Sequence, residues 1–147
     1  MSGAEKIAVR VTEVAPLNEL VTRFRFEPLA GGLLPTFSGG AHTVVEMKDG
    51  AITRLNPYSL MSDPFDQISY TISVRRDDEG RGGSLFMHNN VSVGDEMIIS
   101  TPVNLFSLDL RAKKHLMIAG GIGITPFLAQ IKQLDRAHGN WELHYSC

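Results

Sequence analysis

The sequence predicts a mostly β protein, in which a six-stranded antiparallel barrel is followed by a partial βαβ unit of the α/β type. Up to about residue 111, short segments alternate apolar and polar residues, as half-buried antiparallel strands do. From residue 112 onward, an apolar segment leads through a glycine-rich turn into an amphipathic helix, which is typical of a parallel sheet. We therefore expect two units, formed by residues 1–111 and residues 112–147.

The barrel unit is expected to contain six short strands separated by turn residues. Asp49 and Gly50 form a hairpin signal between the third strand and the fourth. A short helix is expected over Ser84–Asn90, and because serine is a good N-cap residue we expect Ser84 to cap it. The predicted strands are Lys6–Val14, Val21–Glu27, Thr43–Lys48, Arg54–Met61, Ile68–Arg75 and Glu96–Ser100.

The second unit is expected to be a parallel strand–helix–strand crossover. His115–Ala119 is almost entirely apolar and is expected to be a strand buried on both faces. Gly120–Gly123 follows as a turn, and a helix over Thr125–Ala137 carries proline where the first turn tolerates it. Trp141–Ser146 has the composition of a further strand, which we expect at the edge of the sheet.

Composition excludes several classes of protein. The formal net charge of −2 and the pI of about 6.2 argue against nucleic acid or an anionic membrane surface as a partner. No apolar run approaches the roughly 20 residues of a membrane span, and Met1–Arg10 lacks the apolar core of a signal peptide, so we expect a cytoplasmic protein. The five histidines lack the spacing of metal ligands, so no metal site is expected.

Cysteine usage restricts the redox chemistry open to this chain. Cys147 is the only cysteine, so neither an internal disulfide nor a cluster held by four thiolates can form within the chain. Any redox chemistry must then depend on an organic cofactor or on another chain.

The first segment that could bind a ligand or take part in catalysis is Tyr58-Ser59, which follows Arg54 and Asn56 on a predicted strand. A planar heteroaromatic ring would find a flat face at Tyr58 and a hydrogen-bonding hydroxyl at Ser59. The alternative is an ordinary barrel strand with Tyr58 in the core, since tyrosine and serine are common in strands.

The second segment is Gly80–Ser84 at the start of the predicted helix. Glycines let the backbone approach a ligand closely, and a helix N-terminus offers free N–H groups and partial positive charge to an anion. Arg75, Arg76 and Arg81 add positive charge nearby, so a phosphate would fit. The alternative is a solvated loop before a capped helix.

The third segment, Gly120–Pro126, joins a strand to a helix with the pattern Gly-Gly-x-Gly-x-Thr-Pro. Nucleotide phosphates bind at this place in open α/β sheets, beyond the carboxyl end of the first strand. The dinucleotide fingerprint G-x-G-x-x-G is not matched. Both ligand binding and simple packing of strand against helix remain open on this pattern.

Taken in order, the three segments resemble those of the ferredoxin–NADP reductase superfamily. Within it, the chain is most similar to the phthalate dioxygenase reductase branch, which includes vanillate demethylase reductases. The resemblance extends over nearly the whole chain and is carried by Pro57–Pro64, Gly80–Ser84, Val93–Asp95, His115–Pro126 and Trp141–Tyr145.

The resemblance implies a flavin cofactor, usually FMN in this branch, with FAD as the alternative. At the matching positions Tyr58 would pack on the isoalloxazine ring. Ser59 and Thr125 would have catalytic roles, with Ser59 hydrogen-bonded near the reactive nitrogen and Thr125 at the edge of the ring. The short loop around Gly82 and the lack of an added adenine-stacking aromatic residue favour FMN over FAD.

The resemblance also implies where the phosphates lie. Gly82–Ser84 would cradle the flavin phosphate with Arg75 as its cationic partner, and Gly120–Gly123 would leave room for the nicotinamide and pyrophosphate of NADH. The complete implied cofactor-binding set is Arg54, Asn56, Tyr58, Ser59, Ser73, Val74, Arg75, Arg81, Gly82, Gly83, Ser84, Gly120, Gly121, Gly123 and Thr125.

The chain departs from the resembling pattern beside Tyr58. The pattern Arg-x-Tyr-Ser has its arginine on the flavin phosphate, and this chain has Asn56 in that place. Arg54 lies two residues earlier and is expected on the same face of the strand. Either Arg54 substitutes, or Arg75 and Arg81 carry more of the charge, or FMN is bound more weakly.

The function that the resemblance implies is electron transfer from NADH through FMN to an iron–sulfur centre of an oxygenase system, such as a Rieske oxygenase or a monooxygenase. The expected partners are an iron–sulfur protein or oxygenase component, and a chain that carries the rest of the nucleotide domain, because the resemblance ends just after that domain's second strand. The alternatives are an FAD-binding reductase and a non-catalytic structural subunit of a multi-chain oxygenase.

Overall fold

A computed structural model describes residues 5–147. Residues 1–4, at the start of the segment predicted to lack a signal-peptide core, lie outside the described residues. A short 3-10 turn spans Gly121–Ile124. The strands and α-helices are, in chain order, β1 (Lys6–Pro16), β2 (Val21–Pro28), β3 (His42–Asp49), β4 (Ile52–Ser59), β5 (Tyr70–Arg75), α1 (Gly83–Asn90), β6 (Glu96–Ser100), β7 (His115–Gly120), α2 (Thr125–Arg136) and β8 (Trp141–Ser146).

Strands β1 to β6 form one antiparallel sheet in the order β4-β3-β6-β1-β2-β5, which confirms the predicted mostly β fold. The sheet curls, and its two outer strands approach each other without a ladder between them in the described part of the chain. Just beyond β4, the backbone N–H of Met61 donates to the carbonyl oxygen of Thr71 at 3.0 Å. Strand β4 pairs with β3 along its whole length, and no ladder joins its other edge to β5 among the described residues, so the sheet forms a half-barrel.

Alternation along the strands builds the barrel core. In β2, Phe24 and Phe26 are fully buried, whereas Arg25 between them is partly exposed. Tyr70 at the start of β5 is fully buried, and its hydroxyl donates to the carbonyl oxygen of Pro35 at 2.5 Å. Burial raises the pKa of Tyr70 well above its ordinary value, so this phenol is neutral in the core.

The hairpin predicted at residues 49–50 joins β3 to β4, with Gly50 at φ 61° in its turn. Strand β4 begins and ends two residues earlier than expected, and the other element boundaries differ from the prediction by at most two residues. Pro57 lies inside β4, which is tolerated because β4 is an edge strand. The segment Tyr58-Ser59 thus ends a strand at the open edge of the barrel.

The second unit is the predicted crossover, since β7 and β8 pair in parallel and α2 connects them. Met117 and Ala119 are buried, whereas Leu116 and Ile118 on the other face of β7 are 60% and 72% exposed. The predicted burial of β7 on both faces is therefore wrong for the described chain. The reason is that α2 is the single helix connecting these strands and covers one face of the sheet.

Two predicted absences concern the described residues. No helix among residues 5–147 is long and apolar enough to cross a lipid bilayer. Within the same residues, no group of three or more His, Cys, Asp or Glu side chains is placed to hold a metal ion. The division at residue 111 and the cytoplasmic location stay predictions.

Candidate functional site

The side chains of Arg54, Asn56 and Tyr58 lie on one face of β4, as the two-residue spacing predicts. All three are partly buried, whereas Leu55 and Pro57 between them are exposed on the opposite face. A cation, an amide and an aromatic ring thus form a row along the edge strand of the barrel.

The start of α1 packs directly against this row. A Cβ atom at Gly82 would lie 2.9 Å from Cζ of Arg54, and one at Gly83 would lie 2.1 Å from Nδ2 of Asn56. Gly82 also has φ 104°, in the left-handed region that favours glycine. Glycine is therefore required at both positions, because side chains of β4 occupy the space.

Arg54 is held in place beside the first turn of α1. Its Nε donates to Oδ2 of Asp49 at 2.9 Å, and its Nη1 donates to the carbonyl oxygen of Arg81. The side chain is 24% exposed, so the guanidinium is partly shielded but open to a ligand. Among the described residues no side chain caps the N-terminus of α1, so this guanidinium lies beside a helix start whose first N–H groups have no side-chain partner.

Ser84 does not cap α1, and this corrects the prediction. The helix begins at Gly83, so Ser84 lies within the first turn. Its Oγ accepts the backbone N–H of Asp77 at 2.9 Å. The hydroxyl therefore binds the preceding loop, because the glycine at the N-cap position leaves the serine one residue inside the helix.

Tyr58 has one polar partner and a largely apolar environment. Nδ2 of Asn56 donates to the Tyr58 hydroxyl oxygen at 3.1 Å. The ring packs against the barrel core. Burial raises the pKa of Tyr58, and the hydrogen bond from Asn56 lowers it by a smaller amount. Tyr58 is therefore a neutral aromatic residue fixed at its hydroxyl end.

A cleft of about 350 Å³ lies between the barrel and the glycine turn. Ser73 and Arg75 of β5 line one wall, and Gly121 and Thr125 line the other. The Ser73 hydroxyl lies 3.0 Å from the sulfur of Met61, which also lines the cleft. The structure thus brings Ser73 and Arg75 of the implied cofactor-binding set beside the third sequence segment, although they are about 50 residues apart in the chain.

Ser59 lies on the opposite face of β4 from Tyr58 and lines a separate groove. This groove also includes Pro126, the residue after Thr125, so the end of β4 and the start of α2 are neighbours. Val74 is buried in the core, and its carbonyl oxygen lies 2.8 Å from Nε2 of His88. The side chain of Val74 is therefore not available to a ligand, and its carbonyl oxygen already has a partner.

The glycine turn has free space above it. A Cβ atom at Gly121 or Gly123 would meet no atom within 4 Å, and at Gly120 only the Ser146 carbonyl oxygen at 3.9 Å. Gly121 has φ 53°, so its own backbone conformation favours glycine. Tight packing therefore does not account for these glycines, and the positive φ accounts for the one at residue 121.

Sequence reasoning missed several residues of the cleft. Oδ1 of Asn18 accepts the backbone N–H groups of Leu20 and Val21, both at 2.9 Å, and shapes the turn between β1 and β2. The Tyr145 hydroxyl donates to the carbonyl oxygen of Gly121 at 3.1 Å and ties β8 to the glycine turn. Only the strand registers could have located these residues. The missed lining residues are Leu17, Asn18, Leu20, Val21, Met61, Ile122, Ile124, Leu128, Tyr145 and Cys147.

Comparison with known proteins gives sequence relatives over nearly the whole chain, although no protein-family model matches it. The carnitine monooxygenase reductase subunit of Escherichia coli strain K12 is 49% identical over 145 residues, which are 99% of this chain and 45% of that protein. The vanillate O-demethylase oxidoreductase of Pseudomonas sp. strain HR199 is 38% identical over 139 residues, which are 95% of this chain and 43% of the relative.

A solved structure of phthalate dioxygenase reductase has the same fold. It superposes with a TM-score of 0.89 and 34% sequence identity, over 98% of this chain and 44% of that one. That protein is described as a modular structure for electron transfer from pyridine nucleotides to [2Fe-2S]. The chain spans a little under half the length of these proteins. Over the residues that it shares with them, the chain is a homologue of the reductase components of oxygenase systems and has the ferredoxin–NADP reductase-like fold.

Proposed function

We propose that the chain binds FMN and is the flavin-binding part of an oxidoreductase, which passes electrons from NADH to an iron–sulfur centre of an oxygenase system. The observation that carries this proposal is the meeting of Arg54, the start of α1 and Tyr58 at the barrel edge. A cation, free helix N–H groups and an aromatic ring are the groups that a phosphorylated flavin requires. The names of the relatives, which are reductase components, support the same activity.

The residues at the start of α1 fit the phosphate of FMN. Gly82 and Gly83 place backbone N–H groups that no side chain caps at the positive end of the helix. Arg54 supplies a charge that is already held beside them by Asp49. Charge-assisted hydrogen bonds of this kind are roughly twice as strong as neutral ones. We propose that Arg54, rather than Asn56, takes the place of the arginine in the resembling pattern.

The residues that follow along β4 fit the ring of the flavin. We propose that Tyr58 packs on one face of the ring and that Ser59 donates a hydrogen bond near its reactive nitrogen. Ser73 and Arg75 of β5 line the cleft beside the glycine turn, and we propose that they lie along the opposite edge of the ring. When bound, a flavin supplies the chemistry, because it accepts two electrons together and releases them singly.

The cleft beside the glycine turn fits the electron donor. Gly121 and Gly123 leave space above the turn, and Thr125 lies at its far end. We propose that this turn receives the nicotinamide and pyrophosphate of NADH and that Thr125 orients the nicotinamide toward the ring. Exclusion of water from this cleft would protect the reduced cofactor from side reactions.

We propose two kinds of partner. The electron acceptor is an iron–sulfur protein or an oxygenase component, because the described residues hold no group of metal ligands. Further polypeptide, in the same chain or another, covers the face of β7 that carries Leu116 and Ile118. This chain matches 45% of the length of the Escherichia coli relative, which supports this second proposal.

The test is flavin binding by the purified chain. Absorbance and equilibrium dialysis measure the binding of FMN, FAD and riboflavin. We expect FMN to bind with one molecule per chain and more tightly than FAD. Arg54→Gln should weaken FMN binding by roughly tenfold or more, because a charge-assisted contact to phosphate is lost. Arg111→Gln is the matched control, since Arg111 is 90% exposed and pairs with Asp109 on a surface loop.

Two results would contradict the proposal. A colourless chain that takes up none of the three flavins would exclude a flavin-binding role and favour a structural subunit. Equal loss of FMN binding in the Arg54 and Arg111 variants would show that general charge, not this site, attracts the ligand. Anaerobic bleaching of the bound flavin by NADH then tests the donor, with the partner polypeptide added if the chain alone is inactive.

A further inference from the structure

The amide of Asn56 occupies a confined position between α1 and Tyr58. Its Nδ2 lies 3.1 Å from the Tyr58 hydroxyl oxygen and fills the space that a side chain at residue 83 would need. Both Asn56 and Tyr58 are partly buried. The amide is thus enclosed by the glycine backbone on one side and the phenol on the other.

The positive charge at this site comes from a different residue. Arg54 brings its guanidinium to Gly82 and to the carbonyl oxygen of Arg81, at the N-terminal side of the same helix turn. The amide of Asn56 carries no charge and is already hydrogen-bonded. Arg54 therefore brings the charge to the helix start, whereas the uncharged amide of Asn56 lies between Gly83 and Tyr58 and donates to the phenol.

We propose that Asn56 is a positioning residue that fixes the ring of Tyr58 for the flavin and makes no contact of its own with the phosphate. The inference rests on the proposed FMN site and assigns separate roles to two residues within it. Loss of the amide would leave the half-buried Tyr58 hydroxyl without its partner and free the ring to tilt. A buried polar group without a partner is costly, so the ring would move to reach solvent.

The first experiment compares FMN with riboflavin, which has the same ring and no phosphate. Asn56→Leu should weaken both ligands by the same factor, roughly three- to tenfold, because it acts through the ring. Arg54→Gln should weaken FMN and leave riboflavin unchanged. If Asn56→Leu weakened FMN and spared riboflavin, Asn56 would be a phosphate ligand and the proposal would be wrong.

The second experiment is a double-mutant cycle with Tyr58→Phe, which removes the same hydrogen bond from its other end. We expect Tyr58→Phe alone to weaken both flavins about as much as Asn56→Leu does, and the double variant to be no worse than either. Additive losses would show that Asn56 acts independently of Tyr58. The reduction potential of bound FMN should shift in the same direction in both single variants, which a purely structural defect would not produce.

A third measurement separates this inference from the flavin proposal. The hydrogen bond from Asn56 lowers the pKa of Tyr58, so Asn56→Leu should raise that pKa in the ligand-free chain. Ultraviolet titration of the phenols reports it, and Tyr58→Phe identifies the signal. If neither the native chain nor any variant binds flavin, the proposed function fails. The titration still shows whether Asn56 forms a hydrogen bond with Tyr58. An unchanged Tyr58 titration in a folded Asn56→Leu chain would overturn the inference.

Discussion

At the scale of single residues, side chains from distant parts of the chain explain why glycine is required at residues 82 and 83. The glycines at 82 and 83 suggested a close backbone approach, and that interpretation needed only the sequence. Which groups come close was not predictable, because Arg54 and Arg81 are 27 residues apart and meet through barrel curvature. Ser84 shows the converse, since this good capping residue was predicted as the N-cap, whereas the N-cap is Gly82, two residues earlier.

The phenol of Tyr70 gives a prediction at this scale. Tyr70→Phe should lower the free energy of unfolding by about 1 kcal/mol at neutral pH, because the bond to the carbonyl oxygen of Pro35 is lost. The ring would keep its edge-on contact with Phe37, whose centroid lies 5.5 Å away. Urea unfolding of both proteins measures the difference.

The same residue predicts an alkaline pH dependence. Burial raises the pKa of Tyr70 above that of an unfolded tyrosine, which is about 10. The stabilisation from the neutral phenol is therefore complete below about pH 10 and is lost as the pH rises beyond it. The free energy of unfolding of the native chain should fall more steeply than that of Tyr70→Phe above this pH. Parallel slopes would contradict the prediction.

At the scale of elements, α2 is fixed to the barrel by a tight contact. The backbone N–H of Gly39 donates to Oε1 of Gln133 at 2.7 Å. Nε2 of the buried Gln130 donates to the carbonyl oxygen of Phe106 at 2.7 Å. Because α2 begins at Thr125, this contact sets where Thr125 lies relative to the end of β4. Helix periodicity predicted the element, but its docking surface on the loop before β3 has no local signal.

Gly39→Ala tests this docking. Its Cβ atom would lie 2.5 Å from Cα of Gln130, a backbone atom that cannot rotate away. We expect a loss of roughly 1–3 kcal/mol in the free energy of unfolding, as overpacked sites show. Gly123→Ala is the control for stability, because its Cβ atom meets nothing within 4 Å. Equal stabilities of the two variants would mean that α2 shifts without cost.

At the scale of the whole molecule, one sheet is enclosed and the other is covered on one face. The six-stranded sheet curls around its own core, whereas β7 and β8 have α2 on one side. The apolar composition of β7 predicted a strand with two buried faces. Leu116 and Ile118 are exposed instead, so an apolar run does not by itself establish that both faces of a strand are buried.

Substitutions on that face should separate stability from assembly. Leu116→Thr with Ile118→Thr should leave the thermal unfolding of the chain nearly unchanged, because these side chains are largely exposed. The same double variant should reduce concentration-dependent light scattering, since it removes an apolar patch from an exposed sheet face. A large drop in the unfolding temperature would show that the face is already packed.

The sequence by itself determined the local structure, namely the strand alternation, the hairpin at Gly50 and the crossover helix. It also indicated the three segments that could bind a ligand. These follow from side-chain periodicity and turn chemistry, which act over a few residues. Only the tertiary structure decided that Arg54 faces the start of α1, that Asn56 bonds Tyr58, and that Ser73 and Arg75 share a cleft with Thr125. Those pairings depend on strand register, sheet curvature and helix docking, which are set by packing between distant segments.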